Sequence, residues 1–468
     1  MNKTVALVSL AAGLALTALV LGLPHLGQQP HPATPVVTPT PPATASNGSL
    51  TMASRLSHPY ITPGTTELFV TVDITGVQVP GSKRTPVNLA VVIDRSGSMS
   101  GYKLQQAKQA ARHLVGMLGP EDRLAIAHYG SDVKSLPSLP ATPANRERML
   151  QYIEGIWDDG GTNIGAGLHA GRSHIVAARG DYTVNRIILL SDGQPTEGIT
   201  DDAGLTDVVK SIRAEGITVS AIGVGTDFNE DLMQGFAEYG AGAYGFLEDA
   251  GQLATLFQKD LQQAATSVAR NVELSFQLPE GVTLGEVLGY RASQVGRTVR
   301  VPLPDFSAGQ VERVVARLTV VGTKPGSTVD VSGMKLAYSD LLKGAAVESA
   351  ASLSALVTEQ REEVLARQDK DATVYATRAL SAKNLKLAAE ALREGRREEA
   401  KGYVMQNQIL FEQASAVASP AAVAADMAEQ KAVLQDYEQA DSDEAVGAAV
   451  KRSKAKAMKS FGKLGSTY

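Results

Sequence analysis

Between residues 67 and 79 apolar and polar positions alternate. Leu68, Val70, Val72 and Ile74 share one face, and Phe69, Thr71, Asp73 and Thr75 share the other. A period of two predicts a half-buried strand, and Pro80-Gly81 ends it. The pattern then changes. Compact apolar runs at 89–93, 124–128, 186–190 and 217–222, with a shorter one at 243–247, read as buried strands. Helical spacing fills the intervals at 103–118, 146–156, 164–177, 205–215 and 231–239, and again at 250–268. Strand alternating with helix predicts an α/β domain over residues 85–268: a doubly wound, mostly parallel sheet covered on both faces. Beyond Ala269 the period returns to two, with Val272, Leu274, Phe276 and Leu278 in step, and strands recur to residue 357. Residues 50–84 and 269–357 are read as the two parts of one antiparallel β-sandwich, with the α/β domain inserted between them. Insertion requires the two junctions to lie close together.

The remaining chain is helical in pattern. Residues 371–394 and 396–415 form a predicted hairpin about Gly395, within a helical region spanning 358–440, and a last helix is read at 420–437. Residues 388–400 resemble the turn of a tetratricopeptide unit, but one unit is not an array. Residues 441–468 gather Lys and Arg without acids from Lys451 onward and read as a basic disordered tail, with contact to anionic lipid or cell wall as the alternative.

At the other end, Lys3 precedes an uncharged apolar stretch at 5–23, close to the ~20 residues that span a bilayer. The context after it, Pro24-His25-Leu26, is poor for cleavage, so the stretch is read as a signal anchor, with a cleaved signal peptide as the alternative. Residues 24–49 hold seven prolines among Thr, Ala and Gln and read as an extended linker. Either reading of 1–23 puts the bulk of the chain outside the cytoplasm: membrane-anchored if uncleaved, secreted if cleaved.

Composition adds exclusions. The 468 residues suffice for about three domains. Lys and Arg total 44 against 49 Asp and Glu, which gives no electrostatic reason to expect nucleic acid. With no cysteine, disulfides, thiolate metal sites and a lipoprotein anchor are excluded.

The candidate chemistry lies at the ends of predicted strands. Val91–Ser98 reads VVIDRSGS, an apolar run ending in Asp94, Ser96 and Ser98; Thr162 follows the pair Gly160-Gly161; Asp192 ends the run Ile187–Ser191. All five side chains offer oxygen. Such a set suits a hard cation, Mg²⁺ or Mn²⁺, and its two carboxylates do not over-neutralise a divalent ion. Asp94, Thr162 and Asp192 would meet at the carboxyl edge of a parallel sheet, where ligands bind in open α/β folds. The bland reading of Ser96 and Ser98 is helix capping.

Motif and placement together resemble the von Willebrand factor type A domain with its metal-ion-dependent adhesion site, over about residues 85–265. The resemblance implies that Ser96 and Ser98 ligate through their hydroxyls. It implies that Thr162 binds directly in one state and through water in another, and that Asp94 and Asp192 act largely through water. Keeping the carboxylates one step back leaves the ion seeking an acidic ligand, which is a design for binding. The expected function is therefore a non-enzymatic, metal-dependent adhesion module of the cell envelope that captures an Asp or Glu of a partner protein. A structural scaffold of a membrane complex, or a non-catalytic subunit of a metal- or ATP-dependent machine, is the alternative.

Other features take plainer readings. Arg95 is expected to point to solvent, Asp158 and Asp159 to form a turn, and Trp157 to anchor under its loop. Gly240-x-Gly242-x-x-Gly245 follows a helix and enters a strand, the wrong order for a dinucleotide fingerprint. His169 and His174, five apart, are read as structural.

Overall fold

The computed structural model describes residues 43–79, 85–225, 228–247, 259 and 262–461. The apolar stretch at 5–23, most of the Pro-rich linker and the core of the helix expected at 250–268 lie outside the described residues.

The chain begins with strands β1 (Ala43–Ser46), β2 (Leu50–Leu56), β3 (Tyr60–Ile61) and β4 (Gly64–Gly76). The central region follows as β5 (Val87–Asp94), α1 (Tyr102–Met117), β6 (Arg123–Tyr129), β7 (Val133–Pro140), α2 (Pro143–Glu154), α3 (Ile164–Val176), β8 (Val184–Ser191), α4 (Asp202–Ala214), β9 (Thr218–Val224), α5 (Glu230–Tyr239) and β10 (Ala241–Leu247). Its sheet has the order β10-β9-β8-β5-β6-β7 and is parallel except for β7, which pairs antiparallel at the edge. Strands β5, β8 and β9 are buried along their whole length, as strands covered on both faces must be. Two apolar clusters flank the sheet. One gathers Val91, Ile126 and Ile188 under α1 and α2; the other gathers Val92, Ile187 and Leu189 under α3, α4 and α5.

Period-two pattern returns as strands β11 (Ser267–Gln277), β12 (Val282–Leu288), β13 (Ser293–Val295), β14 (Thr298–Pro302), β15 (Phe306–Ser307), β16 (Val311–Gly322), β17 (Thr328–Asp340) and β18 (Ala345–Val357). One sheet runs β1-β2-β4-β16-β12 and the other β13-β14-β11-β17-β18-β3. Their inner faces share a core that includes Met52, Val72, Leu274, Phe276, Leu318 and Leu336. Thus β4 pairs with β16, from Thr75 opposite Val311 to Gly64 opposite Gly322, and not with the central sheet. The α/β domain sits inside the sandwich sequence, and its two ends meet where the Thr85 N–H donates to the Ala265 carbonyl at 3.1 Å.

The helical region comprises α6 (Arg361–Ala366), α7 (Lys370–Arg393), α8 (Arg397–Val417), α9 (Pro420–Glu438) and α10 (Asp443–Ser460). The Asp369 side chain caps α7 by accepting from Ala372 N–H, and Gly395, at a φ of 76°, makes the turn into α8 that no β-carbon favours. Alanines of α7 pack with Phe69, Leu288 and Val315 on the outer face of the first sheet.

Four expectations need correction. The linker does not run to residue 49: Ala43–Ser46 pairs with β2, so its last residues belong to the sandwich. As far as residue 461 the basic tail is not disordered, because α10 buries Ala449, Val450 and Ala457 and Phe461 is buried just beyond it. Two of its cations find acids outside the tail, Arg452 on Asp436 at 3.1 Å and Lys454 on Glu230 at 2.7 Å, contacts that the sequence of the tail does not reveal. Trp157 is no core anchor: it is 74% exposed. Arg95 does not face solvent: it is 2% exposed and pairs with Asp132 and Asp159.

Candidate metal centre

Parallel strands β5 and β8 pair in register from Val87 with Val184 to Ile93 with Leu190, so their next residues, Asp94 and Ser191-Asp192, emerge side by side at the carboxyl edge. Asp94 and Asp192 are fully buried, and Ser96 and Thr162 are nearly so, whereas Ser98 is exposed. One Asp94 oxygen accepts from the Ser96 N–H at 2.9 Å, which folds the turn back on the strand end. The other accepts from the Ser191 hydroxyl at 2.6 Å and from the Tyr129 hydroxyl at 3.3 Å. The Ser96 and Ser98 hydroxyls lie 3.1 Å apart.

Two further loops close on this turn. The Gly97 N–H donates to the Gly160 carbonyl at 3.1 Å, which ties the Thr162 loop to the Asp94 loop. Thr162 is fixed at its backbone, its N–H donating to the Thr196 hydroxyl at 2.8 Å and its carbonyl accepting from the Thr196 N–H at 3.0 Å. The Asp192 carbonyl accepts from the Asn229 N–H at 2.9 Å, just before α5. Asp94, Ser96, Ser98 and Asp192 thus share one edge of the sheet, and the Thr162 loop is hydrogen-bonded to it. No motif or spacing singles out Ser191, Tyr129, Lys103 or Thr196. Ser191 was visible only as a neighbour in the string LLSDG.

The electrostatics are those of a site short of positive charge. Burial pushes the Asp94 carboxyl up to about 6; hydrogen bonds from Ser191 and Ser96 oppose the shift, and the Asp192 charge adds to it. Lys103 Nζ lies 3.3 Å from Asp192 Oδ2, while Oδ1 is buried with no hydrogen-bond partner. An unpartnered buried carboxylate oxygen is costly, and a cation beside it would remove the cost. The donor set is two carboxylates and hydroxyls, with no nitrogen or sulfur, which fits a hard divalent ion. Among the described residues no cluster of three or more His, Asp and Glu side chains is spaced to hold a metal, so any such site depends on the Ser and Thr oxygens.

A family model, the von Willebrand factor type A domain, matches residues 88–259. The chain carries a von Willebrand factor type A domain. An uncharacterised protein of Escherichia coli strain K12, YfbK, is 29% identical over 284 residues, covering 58% of this chain and 49% of its own length. Inter-alpha-trypsin inhibitor heavy chain H1 of Mesocricetus auratus is 30% identical over 197 residues, covering 40% of this chain and 21% of that protein. This chain therefore spans half or less of the length of either relative. The solved von Willebrand factor type A protein of Catenulispora acidiphila covers 90% of this chain and 98% of its own at a TM-score of 0.66 and 16% identity. The ArnB paralog VWA2 of Sulfolobus acidocaldarius covers 88% and 99% at 0.55 and 19%. These two likenesses extend the shared fold beyond the type A domain to most of the chain. Type A domains generally mediate protein–protein interaction.

Proposed function

We propose that the type A domain holds Mg²⁺, or Mn²⁺, through Ser96, Ser98, Thr162, Asp94 and Asp192, and uses it to capture an Asp or Glu side chain of a partner protein. The observation that carries this reading is the unpartnered, fully buried oxygen of Asp192 beside a second buried carboxylate, at the edge where three loops converge. One lysine faces these two acids, so a divalent ion would be welcome there, and a bound ion would retain positive charge toward an incoming carboxylate. The protein acts as a binding module rather than a catalyst, displayed outside the cytoplasm on an anchor at residues 5–23.

Affinity capture from the envelope fraction with and without chelator, beside Mg²⁺ calorimetry, tests the reading. Partner retention that needs Mg²⁺ and is lost in Asp94→Ala supports it. Retention indifferent to chelator would favour a scaffold role instead.

A further inference from the structure

Beside the metal loop lies an open cleft of about 670 Å³, walled by the end of α2, by β6 and β7, and by the 155–159 loop. Its chemistry is unusual for an ordinary surface depression. Three side chains that line it carry buried polar atoms with no hydrogen-bond partner: Arg95 Nε, His128 Nδ1 and the Tyr152 hydroxyl. Arg95 and His128 are 2% and 6% exposed, so these are not solvated surface groups. Unpartnered buried polar atoms are rare in folded proteins, and three around one cleft ask for an explanation. The His128 and Tyr152 rings lie 5.6 Å apart, which places two of the three atoms in one neighbourhood.

The cleft is rich in donors. Arg95 binds the Asp159 carbonyl through Nη1 at 3.1 Å and pairs with Asp132 through Nη2, which leaves its Nε–H unused. Burial, reinforced by the charges of Arg95 and Lys134, lowers the His128 pKa to about 4, so the ring is neutral near pH 7. Lys134 on the rim is 63% exposed at its side chain and only loosely paired with Asp132, at 3.6 Å. Over the rim stands Trp157, 74% exposed, with Lys108 Nζ 5.6 Å from its ring centre. The carboxylates of Asp132 and Asp159 stand at the same cleft and hold the outer ends of Arg95, so what remains for a ligand is the unused donors inside, Lys134 on the rim and the flat apolar ring beside them, a set that suits an anionic oxygen group carried on an apolar or planar neighbour. Trp157, the one tryptophan of the chain, offers a large apolar face with a polar N–H beside this floor, as aromatic anchors at interfaces do.

We propose that this cleft is a second peptide subsite, which takes a carboxylate side chain against Arg95, Tyr152 and Lys134 while Trp157 packs on the adjoining residue. The proposal rests on the reading of the domain as a protein-binding module, but not on the metal. Arg95 stands between Asp94 and Ser96, and its carbonyl accepts from the Asp159 N–H at 2.8 Å, so the cleft and the metal loop share backbone. One acidic segment can therefore address both. Tyr152, half buried at the end of α2, is placed to turn its hydroxyl toward the incoming side chain.

The single tryptophan is the reporter. The full-length protein, labelled with ¹⁵N at the indole, is titrated with N-acetyl-Phe-Glu-Phe-amide, with its Gln analogue and with sodium acetate, each in Mg²⁺ and in EDTA. The expected result is a saturable shift of the Trp157 indole signal with the Glu peptide in both buffers, at a Kd of about 1 mM or tighter. The Gln peptide and acetate should bind at least about fivefold more weakly. Tyr152→Phe and Lys134→Met should each weaken the Glu peptide about three- to tenfold without lowering the melting temperature, because the Tyr152 hydroxyl has no partner to lose. Equal shifts from the Gln peptide or from acetate overturn the proposal, as does the absence of a saturable shift. A shift seen in Mg²⁺ and lost in EDTA assigns the peptide to the metal and likewise overturns the cleft. Failure of Mg²⁺ binding by calorimetry would overturn the metal reading alone and leave the EDTA arm standing.

Discussion

Lys103 and Asp192 make a lopsided pair. The ammonium lies 3.3 Å from one carboxylate oxygen, and the other oxygen is buried without a partner. A lysine so placed neutralises Asp192 when no ion is bound and opposes an ion when one arrives. Lys103→Met should therefore raise Mg²⁺ affinity, by roughly tenfold for charges a few ångströms apart near the surface. It should also lower the melting temperature in EDTA. Calorimetry and thermal unfolding, run together, check this; an unchanged affinity would mean that the ion does not bind near Asp192.

The raised pKa of Asp94 gives a pH prediction with a definite sign. Its value is about 6 in the folded chain against 3.8 unfolded, so the folded state holds the proton more tightly. The resulting stabilisation is full below pH 4 and is lost as pH rises through 6, worth about 3 kcal/mol in all. In EDTA, wild-type stability should fall relative to Asp94→Asn across that window. Added Mg²⁺ should restore it above pH 6 and do little at pH 5, where the proton competes. Parallel pH profiles of the two proteins would refute this.

Thr162→Ala should separate partner capture from metal binding. The Thr162 backbone is held at both ends by Thr196, so removal of its hydroxyl leaves the loop in place. Partner affinity should drop about tenfold or more while Mg²⁺ affinity changes only a few-fold. Asp94→Ala should abolish both with the fold intact, since the strands on either side are held by Val91, Ile93, Ile188 and Leu190. Calorimetry on each variant distinguishes the two outcomes, and equal losses in Thr162→Ala would count against a distinct role for that residue.

The α/β domain should fold alone as a fragment of residues 85–268. Both apolar clusters on its sheet draw only on residues between Val87 and Ala265. Excision removes contacts at the margin of the domain, chiefly the Arg213–Asp305 pair at 2.5 Å, the Thr218 hydroxyl bond to the same carboxylate, and the Lys454–Glu230 pair at 2.7 Å, whose acid gains water once α10 is gone. Circular dichroism should show a cooperative transition at a lower temperature than in the full chain. A fragment without one would show that the sandwich supplies part of this core.

Lys454 and Glu230 test the docking of α10. Both side chains are nearly buried, at 11% and 10% exposure. Loss of one partner strands the other, at a cost of on the order of 3 kcal/mol, whereas loss of both is milder. Lys454→Met should expose α10 to limited proteolysis, and Lys454→Met with Glu230→Gln should protect it again.

The α/β fold was legible because buried parallel strands such as Ile187–Leu190 read as unbroken apolar runs and their helices keep a separate period. Strand β7 was missed because Pro137 and Pro140 argue against a strand. It tolerates them by lying at the sheet edge, with its register shifting between Leu136 and Leu139. The loops proposed to hold the ion stood out as oxygen-bearing residues at strand ends. Their supports were not: Ser191, Tyr129 and Lys103 reach Asp94 or Asp192 only through the fold, across 97, 35 and 89 residues respectively. The docking of α10 was hidden for the same reason, since Glu230 lies 224 residues from Lys454.

The pairing of Thr85 with Ala265 has a mechanical consequence. Because both ends of the type A domain leave through one spot, a pull on the carboxyl edge of its sheet does not stretch the domain from terminus to terminus. The load passes through the paired junction into the long antiparallel strands of the sandwich, where β4 pairs with β16 from Gly64 to Thr75 and with β2 from Val70 to Gly76. Tension from the amino-terminal side meets that sheet through β1 and β2, and hydrogen bonds loaded in shear yield together rather than one at a time. Tension running along the chain from one part of the sandwich to the other thereby bypasses the inserted domain, which is strained only by a load applied at its own carboxyl edge.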